Sequence, residues 1–102
     1  ERVFICETKW ARDAATVTRG VDPQLFSYLT LHDTAAVLVL LADQKSPREA
    51  IDRRIADLKK LDTWVGEDPP MSTWPVLKFN VENRVVRVCI ASVLLPKYGS
   101  AV

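Results

Sequence analysis

Much of the residue chemistry that announces an enzyme is missing from this chain. Only three of its 102 residues are glycine, none in a G-x-G or P-loop setting, so no loop is shaped to cradle a phosphate with backbone N–H groups. His32 is the single histidine and there is no nucleophile elbow, which argues against Ser-His-Asp hydrolysis. Zinc chemistry lacks its ligands, because neither of the two cysteines, Cys6 and Cys89, has a histidine at ligand spacing. Both cysteines lie in apolar, strand-like runs and are expected to be buried small hydrophobes in a reducing compartment, with the cytoplasm as the expected location. No sign of charge dominates. Fourteen Lys and Arg face thirteen Asp and Glu, so a basic surface for a nucleic acid has to be local. The longest apolar run, Ala35 to Ala42, is too short to span a bilayer, and no basic segment followed by an apolar stretch opens the chain. No membrane partner is expected.

What remains is an ordinary globular composition, enough for one modest core and a single α/β domain over residues 1–102. Glu1 to Thr8 reads as a strand, apolar at first on both faces. A stripe of Ala14, Val17, Val21, Leu25, Tyr28 and Leu29 then predicts one helix face from about Ala14 to Thr30. Gly20 and Pro23 interrupt it, so the helix is either kinked there or freshly started at Asp22. Ala35 to Leu41 reads as a central strand covered on both sides. Ser46 and Glu49 form a capping-box pattern with Pro47 in the first turn, opening a helix whose buried stripe is Ile51, Ile55, Leu58 and Leu61. Arg53, Arg54, Lys59 and Lys60 fall on its solvated face. "VGEDPPMSTWP", from Val65 to Pro75, is a loop. Trp64, Met71 and Trp74, in it or beside it, read as caps on the core rather than base-stacking groups. Leu77, Phe79 and Val81 then alternate with polar residues, Glu82-Asn83 makes a turn, and a second arm runs from Arg84 to Leu95. The order β-α-β-α-β-β predicts a mixed sheet with flanking helices.

The chemistry concentrates in "CETKW". Along a strand, Val3, Ile5, Glu7 and Lys9 share a face. A carboxylate and an ammonium at E-x-K spacing suit metal-assisted phosphodiester hydrolysis. Glu7 would hold a hard cation through oxygen, and Lys9 would orient water and offset charge growing on the phosphate. A strand-end ion pair gives the same pattern, with Glu7 paired to Lys9 or Arg12. Gln24 and Tyr28, four apart, lie near each other on the following helix, Gln24 on the polar flank of the stripe and Tyr28 within it.

A strand-end E-x-K followed by a helix carrying Q-x-x-x-Y resembles the PD-(D/E)XK, or restriction-endonuclease-like, nucleases. "VFICETKW" and "DPQLFSYLTLHDTAAVLVL" look like a bacterial branch with an E-C-K-type strand, a Q-L-x-x-Y-L helix and an R-D-T before the next strand. The likeness covers Val3 to about Leu41 and, more loosely, the later helix and hairpin. It implies Glu7 as metal ligand and catalytic residue, Lys9 as the catalytic lysine, and Gln24 and Tyr28 as groups that place the DNA backbone or brace the site. It implies Mg2+ or Mn2+ as cofactor and DNA as partner. His32 stands where relatives carry Arg and receives no role. The family also needs an acid, normally Asp, on the strand before the E-x-K strand, and only Glu1 and Arg2 precede Val3. The chain is therefore expected to be the C-terminal part of such a core, without its N-terminal helix and first strands. Alone it should be inactive or nearly so, within an active parent. An exposed sheet edge would make a homodimer an expected partner. The alternatives are a non-catalytic nucleic-acid-binding or protein-interaction module of the same fold, and a plain α/β interaction domain.

Overall fold

A computed structural model describes residues 5–29, 34–69 and 73–95. Strand β1 (Ile5–Trp10) leads through α1 (Ala14–Arg19), a kinked stretch (Gly20–Leu25) in which two helical pieces meet at Asp22, and one further turn, α2 (Phe26–Tyr28). Strand β2 (Ala35–Ala42) and helix α3 (Pro47–Leu58) follow, then β3 (Trp64–Glu67), β4 (Val76–Val81) and β5 (Arg84–Leu94). The five strands form one mixed sheet in the order β1-β2-β5-β4-β3. β1, β2 and β5 run parallel, while β3 and β4 are antiparallel additions. The mixed α/β class expected from the sequence is the one observed.

Local chemistry explains most of the boundaries. Asp13 caps α1: its carboxylate accepts the Ala15 N–H at 3.3 Å and the Thr16 hydroxyl at 2.7 Å, satisfying donors that a helix start leaves open. The stripe from Ala14 onward does not make one helix. Asp22 is extended (φ −124°, ψ 106°) and Pro23 follows it, so winding restarts there. The restart shifts the helical phase: Val17, Val21, Leu25 and Phe26 are buried, whereas Tyr28, expected within the stripe, is 52% exposed. Ser46 occupies the N-cap position of α3 without a side-chain cap bond. The capping box is not formed, and Pro47 alone marks that helix start.

Two further expectations are corrected. The stretch from Val65 to Pro75 is not all loop, because Trp64–Glu67 extends along β4, with a bulge between Trp64 and Gly66. Lys59 ties α3 to this strand through Glu67 at 2.8 Å. Trp64 packs partly buried against the core, but Trp74 is 43% exposed; Met71 lies outside the described residues. The hairpin turn is as expected. Glu82 and Asn83 both have positive φ (52° and 65°), and Val81 pairs with Arg84 across a two-residue turn of the kind that matches strand twist.

Among the described residues the core lies on one side of the sheet. α1 and α3 pack against each other over the face formed by Ala36, Leu38, Leu40, Leu77, Phe79, Val86, Val88 and Ile90. The Phe26 ring meets Phe79 edge-to-face, centroids 5.4 Å apart. No described element covers the opposite face, so β2 is not the doubly covered strand expected. Cys6 is accordingly exposed and Cys89 only half-buried, rather than both being core hydrophobes. They share a row with Val37 between them. Two strand spacings, roughly 9–10 Å, are beyond disulfide reach.

Candidate functional site at the edge strand

β1 is an edge strand, bonded on one side to β2. Its register places Glu7 beside Leu38 and Lys9 beside Leu40, so both charged groups face the helix side. Both are half-buried. Carboxylate and ammonium thus share a face at adjacent same-side positions, as the E-x-K spacing requires. Neither makes a hydrogen bond or ion pair among the described residues. The pairing of Glu7 with Lys9 or Arg12 that a plain strand-end ion pair would show is absent. Arg12 instead binds Asp43 at 2.8 Å and lies 4.2 Å over the Trp10 ring.

Gly20 positions Lys9. A Cβ at that glycine would lie 3.0 Å from Lys9 Cε and 3.1 Å from Cγ, so the lysine stem lies against the start of the wound segment. This close approach was hidden in the sequence, where Gly20 read only as an interruption of a helix. Gln24 lies four residues further on, half-buried, its backbone carbonyl accepting the Ser27 hydroxyl at 2.7 Å. Gln24 and Tyr28 share the restarted winding, but no hydrogen bond links either to Glu7 or Lys9 among the described residues. Of the His32-Asp33-Thr34 stretch, only Thr34 is described; its carbonyl accepts the Arg87 N–H.

The donor set does not complete a metal centre. Glu7 offers one free carboxylate, and no group of three His, Cys, Asp or Glu side chains converges among the described residues. A magnesium ion prefers octahedral oxygen coordination and accepts one or two carboxylates beside water and phosphate oxygens. Glu7 has the donor chemistry of one such carboxylate, and among the described residues it has no converging group of acids beside it.

A groove of about 340 Å³ lies beyond the carboxyl end of β1. Arg12, Gln44, Lys45, Ser46, Glu49 and Arg54 are among its walls. Its guanidinium groups are matched by carboxylates: Arg12 by Asp43, Arg53 by Glu49 and Arg54 by Asp57. That pairing leaves little net positive field for an anion.

No family model, no curated protein and no solved structure matches this chain. Among the described residues, no helix is long and apolar enough to cross a membrane.

Proposed function

We propose that this chain carries the E-x-K half of a metal-dependent deoxyribonuclease site in a cytoplasmic protein, with DNA as its partner. One observation carries the reading. Glu7 and Lys9 stand on the same side of an edge strand, half-buried, free of other partners, with Gly20 leaving room for the lysine stem. Structural carboxylates and lysines at such positions ordinarily find each other or a neighbour, because half-burying an unpaired charge is costly. In the nuclease reading, the Lys9 ammonium meets a phosphate oxygen as a compact point charge, and Glu7 holds water or one face of a cation. Gln24 and Tyr28 supply a polar shoulder for the nucleic-acid backbone. The acid that the PD-(D/E)XK resemblance requires would belong to a strand beside β1, whose outer edge has no partner among the described residues.

Glu7 alone is too few ligands for tight magnesium binding, so the 102 residues by themselves are expected to be inactive. That same observation favours a second reading, a non-catalytic binding module of the same fold. The deciding experiment is cleavage of supercoiled and single-stranded DNA by the natural full-length polypeptide, with magnesium or manganese. Glu7→Ala and Lys9→Ala run beside it. Metal-dependent cleavage that each substitution lowers by about a hundredfold or more, the scale of losing one group that stabilises transition-state charge, supports the nuclease. No cleavage from a folded protein that still binds DNA moves the assignment to the binding module.

A further inference from the structure

The outer edge of β1 has a chemical pattern of its own. The Ala11 N–H donates to the Leu41 carbonyl at 2.8 Å, and the Ala11 carbonyl accepts from Gln44 Nε2 at 2.7 Å. Odd-numbered residues therefore turn their backbone groups inward, toward β2. By strand alternation Cys6, Thr8 and Trp10 turn theirs outward, toward an edge with no described partner. A row of outward N–H and C=O groups is a template for another strand.

The side chains select which strand. We infer that a second copy of this chain pairs antiparallel on that edge, with the two-fold axis at Thr8. Thr8 then faces the partner's Thr8, and Cys6 faces the partner's Trp10, at hydrogen-bonded positions that use the outward groups. Glu7 faces the partner's Lys9, and Lys9 the partner's Glu7, at the closer, non-hydrogen-bonded positions. The E-x-K spacing is thus its own complement when read antiparallel about its middle residue. The neighbouring backbone-compatible registers are poorer. Centring on Glu7 opposes two carboxylates, and centring on Lys9 opposes two ammonium groups, both destabilising directly across a strand pair. The arrangement also gives Glu7 and Lys9 partners that they lack among the described residues, and joins the two sheet faces opposite the helices into one surface.

This inference is independent of the nuclease reading and competes with it for the edge, since a strand of the same polypeptide paired there would exclude the second copy. The test reads association alone, so its result and that of the cleavage assay stay separate. Sedimentation equilibrium of the 102-residue chain would be compared with Glu7→Lys, with Lys9→Glu, and with the double exchange Glu7→Lys/Lys9→Glu. Each single reversal opposes like charges twice, and is expected to weaken the dimer by about tenfold or more. An equimolar mixture of the two single variants should recover association, because the pairs are opposite in sign again, and so should the double exchange. Recovery on mixing also shows that the single variants are folded. Oxidation of Thr8→Cys, in a Cys6→Ser/Cys89→Ser background, should trap a covalent dimer, because axis residues lie within disulfide range. A chain that stays monomeric at concentrations on the order of 1 mM overturns the inference. So does a dimer indifferent to all the reversals and not trapped at position 8.

Discussion

On the helix side of the sheet, Leu38, Leu40, Leu77, Phe79, Val86, Val88 and Ile90 are sealed from solvent. On the other side, along the same strands, Val85 and Val93 are 43% and 38% exposed, and Trp10 is 39% exposed. Both sides are apolar, but the residues differ in bulk. The sealed side uses Leu, Ile and Phe beside its valines, while the open side uses Val, Ala, Cys and Thr around Trp10 and Leu41. At one end the open side turns polar, where Asp68 sits between Arg87 at 3.0 Å and Lys78 at 3.7 Å. Apolar character thus tells which residues tolerate a strand, and bulk tells which of them carry the packing. Stability in this domain should therefore be lopsided.

The largest test of that asymmetry is Phe79→Ala. It removes a fully buried ring and its edge-to-face contact with Phe26, and is expected to cost about 3–5 kcal/mol. That is a large share of what a domain of this size has. Val93→Thr on the open side should change stability by no more than about 0.5 kcal/mol. Denaturant midpoints at constant slope measure both. If Val93→Thr costs as much as a core substitution, the open face is covered in solution and the contrast fails.

A smaller effect concerns the cover itself. Asp13 holds the start of α1, and the hydrogen bond from the Thr16 hydroxyl, with help from the Ala15 and Thr16 N–H groups, draws its carboxyl below the ordinary 3.8. A carboxylate whose folded value is depressed stabilises the fold above the unfolded value, and loses that contribution as pH falls through the folded one. The wild-type chain should therefore lose helix stability more steeply than Asp13→Asn once pH drops below 3.8. Thermal unfolding followed across that range reads the difference, and parallel curves for the two proteins would remove Asp13 from the account.

Legibility in the sequence followed the same divide. Elements fixed by short-range chemistry were readable: the Glu82-Asn83 turn, Pro47 at the start of α3, the run from Ala35 onward, and the shared face of Glu7 and Lys9. What depended on distant partners was not. The continuous apolar run of β2 matches a strand covered twice, yet only one of its faces meets helices. Nothing local to Trp64–Glu67 shows that β4 offers it a free edge. Tyr28 fell out of the buried stripe because one extended residue, Asp22, reset the helical phase. At the candidate site the spacing of the charged pair was visible, but the room that Gly20 makes for Lys9 depends on a fold that brings residues 9 and 20 together. The proposal of DNA chemistry rests on resemblance, and the Glu7 carboxylate is as far as the described residues take it.

The smallest expected effect lies on the open face. Cys6 and Cys89 occupy one row of it, a position apart on either side of Val37, so a face that is uniformly open would make them equally reactive. They are not equivalent. Cys6 is exposed on the edge strand, whereas Cys89 is half-buried in the middle of the sheet, where burial pushes its thiol up. Alkylation proceeds through the thiolate and needs access, so iodoacetamide at mildly alkaline pH should modify Cys6 first and Cys89 slowly, as peptide mapping over time would show. Equal rates would mean that the sheet interior is as open as its edge. The comparison sharpens with protein concentration: pairing about Thr8 places the partner's Trp10 across from Cys6 and leaves Cys89 untouched. A Cys6 rate that falls on concentrating the protein, beside a constant Cys89 rate, would therefore tie protection of this face to the edge of β1 rather than to a cover over the sheet.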